Sequence, residues 1–168
     1  MHEPPCPANE QDRLQALRAL LILDTPPEER FDRLTAFAVQ EFDVPMALLS
    51  LVDEDRQWFK SRVGLASCET ARGISFCGHA ILHRYTMVVP DARLDARFAD
   101  NPLVTSEPHI RFYAGAPLQL PGGYNVGTLC LLDREPRHLD AIGLAILGSL
   151  RDLAVEELVR RNPGALAP

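Results

Sequence analysis

The sequence has no apolar run long enough to cross a bilayer. Its longest uninterrupted runs, such as MALLSLV from Met46, are far shorter than the roughly 20 residues that a membrane helix needs. The first segment, MHEPPCPANEQDR, also lacks the apolar centre of a signal peptide. We therefore expect a cytoplasmic protein without a membrane partner.

An excess of basic residues is also absent. Lys and Arg number 17 against 23 Asp and Glu, which gives a net charge of −6 and a pI near 5.3. Binding to nucleic acid requires clustered Lys and Arg that neutralise phosphates. We therefore expect no nucleic-acid partner.

Paired cysteine motifs are missing as well. The four cysteines form no CxxC pair and have no secretory context, so reduced thiols are expected. Cys77 and His79 have a spacing that suits metal ligands, or a thiolate and its base. A structural zinc site needs four nitrogen or sulfur ligands, and no second tight Cys/His pair is present. No metal is expected, and the sequence identifies no cofactor.

The composition is that of one compact domain. The chain has 168 residues, of which 46% are hydrophobic and 24% charged. A chain of this size can bury roughly two thirds of its unfolded surface, and its composition is neither disordered nor membrane-spanning. We expect a single domain over residues 9–161, with flexible termini at 1–8 and 162–168.

The hydrophobic pattern predicts helices at both ends of the chain and short strands between them. One helix is predicted after Asn9, a second with Thr25 as its cap, and a last one over about 138–161. The predicted strands are MALLSLV, QWFKSRV, TMVV, IRFYAGAPL and VGTLCLL, with a hairpin at 121–123 between the last two. This order favours an α+β fold: an antiparallel sheet of five to six strands with the terminal helices on one face.

The last helix carries more apolar surface than one sheet face requires. One stripe comprises Leu139, Ile142, Ile146, Leu150 and Leu153, and an adjoining stripe comprises Leu147, Leu150, Ala154 and Leu158. We expect the surplus to form a homodimer, in which Leu147 and Leu158 take part.

Potentially reactive side chains concentrate between Gly73 and Gly115, in loops between short apolar strands. Binding and catalytic residues often lie on such loops. Arginine suits carboxylates or phosphates, asparagine both donates and accepts, and aromatic rings form pocket walls. The candidate ligand-binding residues are Phe76, Cys77, His79, Asp91, Phe98, Asn101, Arg111 and Tyr113.

Four blocks of this sequence together resemble a known family. They are RLQALRALLILDTPPEERFDRLTAFA, VPMALLSLVDEDRQWFKS, the 73–115 segment and GTLCLLDREPRHL. In order and spacing they are similar to the GAF domains of bacterial signalling proteins, in the branch often found ahead of histidine kinase or diguanylate cyclase modules. The resemblance covers residues 14–158.

The resemblance implies a GAF-like, PAS-related fold in which short helices and loops over 68–108 cover a pocket. It also implies a sensory domain that binds an unidentified small molecule and has no catalytic activity of its own. Ligand binding would shift the populations of two conformations, and the terminal helices would carry the change. No kinase, cyclase or DNA-binding segment follows the last helix in this sequence. We therefore expect output through its own dimer or a separate signalling protein.

Two other function classes stay open. Free methionine-(R)-sulfoxide reductases share the GAF fold, and Cys68 and Cys77 lie in a region similar to the one that holds two of their cysteines. The segment PDARLDARFADNPLVTSEP, where those enzymes carry the attacking cysteine, contains none. A purely structural dimerisation module is the other class.

The Asn-Lys-Phe-Asp-Glu signature of cyclic-nucleotide-binding domains is not matched, and bilin or haem attachment at Cys77 or His79 has only a loose resemblance to support it.

Overall fold

The computed structural model describes residues 1–166, so the predicted flexible residues 167 and 168 lie outside the described part. Residues 1–166 contain five α-helices: α1 (Glu10–Ala19), α2 (Glu29–Phe42), α3 (Phe76–Ala80), α4 (Pro102–Thr105) and α5 (Ala141–Arg161). The described part of the chain also contains six strands: β1 (Met46–Val52), β2 (Arg56–Val63), β3 (Glu69–Ala71), β4 (Met87–Val89), β5 (Phe112–Gln119) and β6 (Asn125–Asp133). Short 3-10 turns follow β3 and β4.

The six strands form one antiparallel sheet in the order β3-β2-β1-β6-β5-β4. The apolar run of β1 is buried throughout because it lies inside the sheet, between β2 and β6, and is covered on both faces. The predicted hairpin is present, since β5 and β6 pair directly across the turn at 121–123. The predicted α+β fold is confirmed.

Side chains alternate between two hydrophobic cores, one on each face of the sheet. Ala47, Leu49 and Leu51 of β1 face a core shared with α1, α2 and α5. Met46 and Leu48 face a second core, under α3 and α4. The period-two alternation of a strand therefore divides β1 between the helical layer and the layer of short helices and loops.

The second helix starts later than the sequence predicts. Thr25 does not cap it, because its hydroxyl donates to the Ile22 carbonyl at 2.5 Å and accepts from the Lys60 ammonium at 2.8 Å. That ammonium is completely buried and pairs with Glu28 at 2.7 Å. A buried charge needs such partners, so the segment 25–28 stays non-helical around Lys60 and the helix begins at Glu29.

The two apolar stripes of α5 have the opposite roles from those expected. Leu147 and Leu158 are buried in the core against the sheet, together with Leu150 and Ala154. The other stripe leaves Ile142 70% exposed and Leu153 48% exposed. The assignment of Leu147 and Leu158 to a dimer interface is therefore wrong.

Residues 1–8 form no helix or strand but contact the domain. The His2 amide donates to the Arg97 carbonyl at 3.2 Å, and the Met1 ammonium pairs with Asp100. The flexibility of this segment, and the domain boundaries at 9 and 161, stay predictions. Among the described residues no helix has the length and apolar character needed to span a membrane.

Candidate functional site

A cavity of about 350 Å³ lies between the sheet and the covering layer of α3 and α4. Its apolar lining comprises Met46, Leu48, Phe59, Leu65, Ala66, Phe76, Leu103, Pro108, Ile110 and Leu132. Its remaining lining comprises Gln57, Gly64, Ser67, Thr70, Cys77, Glu107, Tyr113, Cys130 and Arg134. The volume lies within the range of about 300 to 1,000 Å³ typical of small-molecule sites.

The short helix α3 places two of these residues over the sheet. Ser75 caps it, since its hydroxyl oxygen accepts from the Gly78 amide at 3.0 Å. Phe76 and Cys77, the first two helical residues, then point at the sheet and are almost fully buried. A local capping interaction thus sets one wall of the cavity.

The sulfur of Cys77 is the centre of a buried hydrogen-bond cluster. The Thr128 hydroxyl donates to it at 3.2 Å, and the Tyr113 hydroxyl donates to it at 3.3 Å. The sulfur of Cys130 lies 3.9 Å from it. Both thiols are free.

These contacts shift the pKa of Cys77 in the opposite direction from the pKa values of Tyr113 and Cys130. Burial alone would raise the pKa of Cys77, but hydrogen bonds from Cys130, Thr128 and Tyr113 to its sulfur outweigh burial and lower it. Burial, together with the charge that Cys77 carries as a thiolate, raises the pKa values of Tyr113 and Cys130 well above their usual range. Of the two thiols, Cys77 is therefore the one that ionises.

The polar side chains of the lining fall into two groups. Gln57 accepts from the Ser50 hydroxyl at 3.3 Å and donates to the Thr70 hydroxyl at 2.6 Å, so these groups satisfy one another within the β1–β3 wall. Glu107 and Arg134 are exposed and lie where the cavity meets solvent. The cavity thus has an apolar interior and a charged mouth.

Three of the eight candidate residues line this cavity: Phe76, Cys77 and Tyr113. They come together because α3 lies over the sheet beside β5 and β6. Whether they bind a ligand stays a prediction.

Two further candidates, His79 and Phe98, lie behind the cavity wall. Phe98 stacks on Phe76 with ring centroids 4.0 Å apart, so it supports a lining residue without reaching the cavity. His79 Nε2 lies 3.0 Å from the His2 carbonyl, to which it donates. Burial lowers the pKa of His79 and keeps the ring neutral. Neither side chain lines the cavity, and whether either binds a ligand stays a prediction.

The remaining three candidates are held by backbone contacts elsewhere. Asp91 caps the 3-10 turn at 92–94 and pairs with Arg93 at 2.7 Å. Asn101 caps α4 and donates to the Ile74 carbonyl at 2.9 Å. Arg111 donates to the Val104 carbonyl at 2.8 Å. None of the three lines this cavity, and whether any of them binds a ligand stays a prediction.

Cys130 and Thr128 were not predicted as site residues. Both lie on β6, where alternate residues face the cavity layer while Leu129 and Leu131 face the helices. The alternation of side chains along a strand predicts that Thr128 and Cys130 share one face of β6. It does not predict that α3 places Cys77 above this strand. The resemblance had instead associated Cys77 with Cys68, which is exposed.

Among residues 1–166, no group of three or more His, Cys, Asp or Glu side chains is arranged to hold a metal ion.

A family model described as GAF domain matches residues 26–157. In sequence the chain is 47% identical, over 137 residues, to the cyclic di-GMP phosphodiesterase PA2567 of Pseudomonas aeruginosa. The match covers 82% of this chain but only 23% of that relative. The chain thus spans about a quarter of the length of the curated relative that it matches.

This relative contradicts one expectation. A protein without catalytic activity was expected, whereas a relative at 47% identity is named as an enzyme, a cyclic di-GMP phosphodiesterase. The motifs that carried the resemblance belong to a domain, and they gave no information on the activity of the proteins that contain it.

Solved structures with the same fold include the GAF domain of a phosphoenolpyruvate-protein phosphotransferase from Acinetobacter, with a TM-score of 0.66 and 14% identity over 93% of this chain and 98% of that one. They also include a free methionine-R-sulfoxide reductase from Neisseria meningitidis, with a TM-score of 0.64 and 20% identity over 99% of this chain and 100% of that one. At such identities the likeness shows the fold alone.

Proposed function

Because the chain belongs to the GAF domain family, we propose that its cavity binds a small, largely apolar molecule, and that this binding regulates cyclic di-GMP hydrolysis by the protein that the chain forms or helps to form. The observation that carries the proposal is the cavity of about 350 Å³ beneath α3 and α4. The relative named as a cyclic di-GMP phosphodiesterase supports the choice of reaction.

The lining defines the chemistry of the ligand. The interior is formed mostly by aliphatic and aromatic side chains, and the polar pair Gln57 and Thr70 is already hydrogen-bonded. Apart from the ionisable thiol of Cys77, the charged groups of the lining are Glu107 and Arg134, which lie at the mouth. This arrangement suits a molecule with an apolar body and one polar end.

The ligand and the substrate are different molecules in this proposal. A cyclic dinucleotide carries two guanine bases and two phosphates, whereas the cavity lies near the lower end of the size range for drug-sized ligands. Among the lining residues that the structure describes, Arg134 alone is cationic. Two phosphates would be poorly neutralised there.

The sheet offers a direct route from the cavity to the helices. Cys130 and Leu132 of β6 face the cavity layer, whereas Leu129 and Leu131 on the same strand pack in the core with α5. A ligand that favours one position of β6 would therefore also favour one position of α5.

We propose a second copy of the chain as the partner of the exposed stripe on α5. Ile142 and Leu153 lie beside the exposed Phe37 of α2, in a groove completed by Ala141, Ala145, Ile146, Ser149 and Leu150. No described residue of this groove is charged. A second copy of the chain can therefore dock there without placing like charges in direct contact.

Retention of a ligand tests the first part of the proposal. Leu103 is half-buried and lines the cavity, so Leu103→Trp should fill part of it. Native mass spectrometry of the freshly purified protein should show a retained small molecule that is lost in this variant. Leu94→Trp, at a leucine 85% exposed, is the control and should retain it. Equal retention by both variants would place the ligand outside the cavity.

Turnover of cyclic di-GMP tests the second part. The purified chain is incubated with cyclic di-GMP, and substrate and linear product are separated by chromatography. Turnover that changes in Leu103→Trp and not in Leu94→Trp supports the proposed regulation. An absence of turnover in all three proteins would overturn this part for the chain itself.

A further inference from the structure

We propose that Cys77 and Cys130 form a redox-sensitive thiol pair in the cavity wall, which a small hydroperoxide entering the cavity oxidises to a disulfide. The pair needs no other ligand, so this proposal stands independently of the function proposed above.

The geometry brings the two sulfurs within reach of each other. Their separation of 3.9 Å is about 2 Å longer than a disulfide bond, a distance that small side-chain and helix movements can close. Cys77 lies on the five-residue helix α3, which is held by a cap and by packing. Cys130 lies inside the sheet between Leu48 and Gly115. A bond between them would fix α3 to the strand below it.

Access for an oxidant is provided by the cavity. Both thiols belong to its lining, although each is almost completely shielded from bulk solvent. Bulky reagents are thereby excluded, while a molecule of the size of hydrogen peroxide can enter. The other two cysteines, Cys6 and Cys68, are exposed.

Cys77 is the sulfur that reacts first. The hydroxyls of Thr128 and Tyr113 both donate to it, which favours its thiolate, the nucleophilic form. Cys130 stays a thiol and supplies the second sulfur. An oxidised cysteine beside a resolving cysteine is the usual arrangement of a reversible thiol switch.

The chemistry balances in two steps. The Cys77 thiolate attacks one oxygen of the hydroperoxide; an S–O bond forms, the O–O bond breaks, and the leaving alkoxide or hydroxide takes up a proton. The Cys130 sulfur then attacks the sulfur of the Cys77 sulfenic acid; the S–S bond forms and water leaves with the Cys130 proton. The two thiols lose two electrons, and the hydroperoxide is reduced to an alcohol, or to water when it is hydrogen peroxide.

The test uses the full chain with both exposed cysteines replaced, Cys6→Ser and Cys68→Ser, so that no intermolecular disulfide interferes. After treatment with hydrogen peroxide, the intact mass should decrease by two hydrogen atoms, and a digest should contain a peptide pair joined through Cys77 and Cys130. Dithiothreitol should reverse both changes.

Two variants in this background separate the steps. Cys130→Ser should stop at a sulfenic acid on Cys77, which dimedone traps when the oxidised protein is unfolded in its presence. Cys77→Ser should give neither a crosslink nor trapping at Cys130. Thermal unfolding followed by circular dichroism checks that each variant is folded.

The parent protein by itself can overturn the proposal. If peroxide leaves both thiols available for alkylation after unfolding, the pair is not redox-sensitive. If Cys77 passes directly to the sulfinic acid while Cys130 remains free, Cys130 does not resolve it. Either result contradicts the thiol pair even if a variant fails to fold.

Discussion

Gly115 makes room for the hydroxyl of Tyr113, two residues earlier on the same face of β5. A Cβ atom placed on Gly115 would lie 2.1 Å from the Tyr113 hydroxyl oxygen and 2.6 Å from the ring carbon that bears it. The tyrosine ring therefore lies along the strand over Gly115, and its hydroxyl reaches the Cys77 sulfur. Because Gly115 has no side chain, the Tyr113 hydroxyl can take this position and donate its hydrogen bond.

Replacement of this glycine should destabilise the protein and move the tyrosine. Gly115→Ala should lower the free energy of unfolding by about 1 to 3 kcal/mol, as expected for overpacking a core. Urea denaturation measures the loss. Gly148→Ala is the control, because only Arg151 lies near its added Cβ, at 3.8 Å, and an alanine in α5 should be neutral or stabilising. Equal effects of the two substitutions would contradict the close packing.

The hydroxyl donors should set the acidity of Cys77. A hydrogen bond to a charged group contributes about 1.5 to 3 kcal/mol. At about 1.4 kcal/mol per pKa unit, removal of one donor should raise the pKa of Cys77 by one to two units. Thr128→Val and Tyr113→Phe each remove one donor with little change of shape. The rate of iodoacetamide alkylation against pH, with Cys6 and Cys68 replaced, measures the shift; unchanged profiles in both variants would refute it.

The fold was largely predictable because it depends on patterns that lie within short segments. The uninterrupted apolar run 46–52 indicated an interior strand, and the Gly122 and Gly123 turn indicated the hairpin that joins β5 to β6. In the structure both glycines have positive φ, a conformation that glycine adopts without strain. The start of the second helix was less predictable, since it depends on the burial of Lys60, far along the chain.

The site was only partly predictable because residue type does not reveal which way a side chain points. Asn101 and Arg111 have the chemistry of ligand-binding residues, yet Asn101 donates to the backbone carbonyl of Ile74 and Arg111 to that of Val104. In the sequence, Cys130 is one residue of the predicted strand VGTLCLL. Its proximity to Cys77 arises from the docking of α3 on β6, a contact between segments more than 50 residues apart.

A buried charge cluster should control acid stability. Arg13 donates to both oxygens of Glu10, at 2.8 and 2.9 Å, and Arg72 donates to the same carboxylate. Arg13 and Arg72 are 1% and 8% exposed at their side chains. Glu10→Gln should lower the free energy of unfolding by about 2 to 3 kcal/mol, because it leaves two buried guanidinium groups without their counter-charge. Asp12→Asn, at an exposed position of the same helix turn, is the control and should change it by less than about 0.5 kcal/mol.

The pH dependence of this effect has a defined direction. Burial alone would raise the pKa of Glu10, but hydrogen bonds from Arg13 and Arg72 lower it from its ordinary value of 4.5 to about 2. The unfolded state therefore binds the proton first as the pH falls. The contribution of Glu10 to the free energy of unfolding should have its full value above pH 4.5 and should disappear as the pH falls to about 2. Denaturation of wild type and Glu10→Gln across this range should show the two converging; a constant difference would contradict the pKa shift.

The exposed stripe of α5 should mediate self-association, in place of the buried stripe that the sequence suggested. Ile142 and Leu153 are three helical turns apart, about 16 Å along the axis, and with Phe37 they form an uncharged strip. In sedimentation at concentrations well above micromolar, wild type should be a dimer, whereas Ile142→Glu and Leu153→Glu should each be a monomer. These two substitutions should leave the thermal stability of the monomer unchanged.

Leu94→Glu, at an exposed leucine outside the strip, should leave the dimer intact. Leu147→Glu should unfold the chain, because Leu147 is completely buried against the sheet. A wild type that sediments as a monomer throughout, or a Leu153→Glu variant that still sediments as a dimer, would show that this strip does not join two copies.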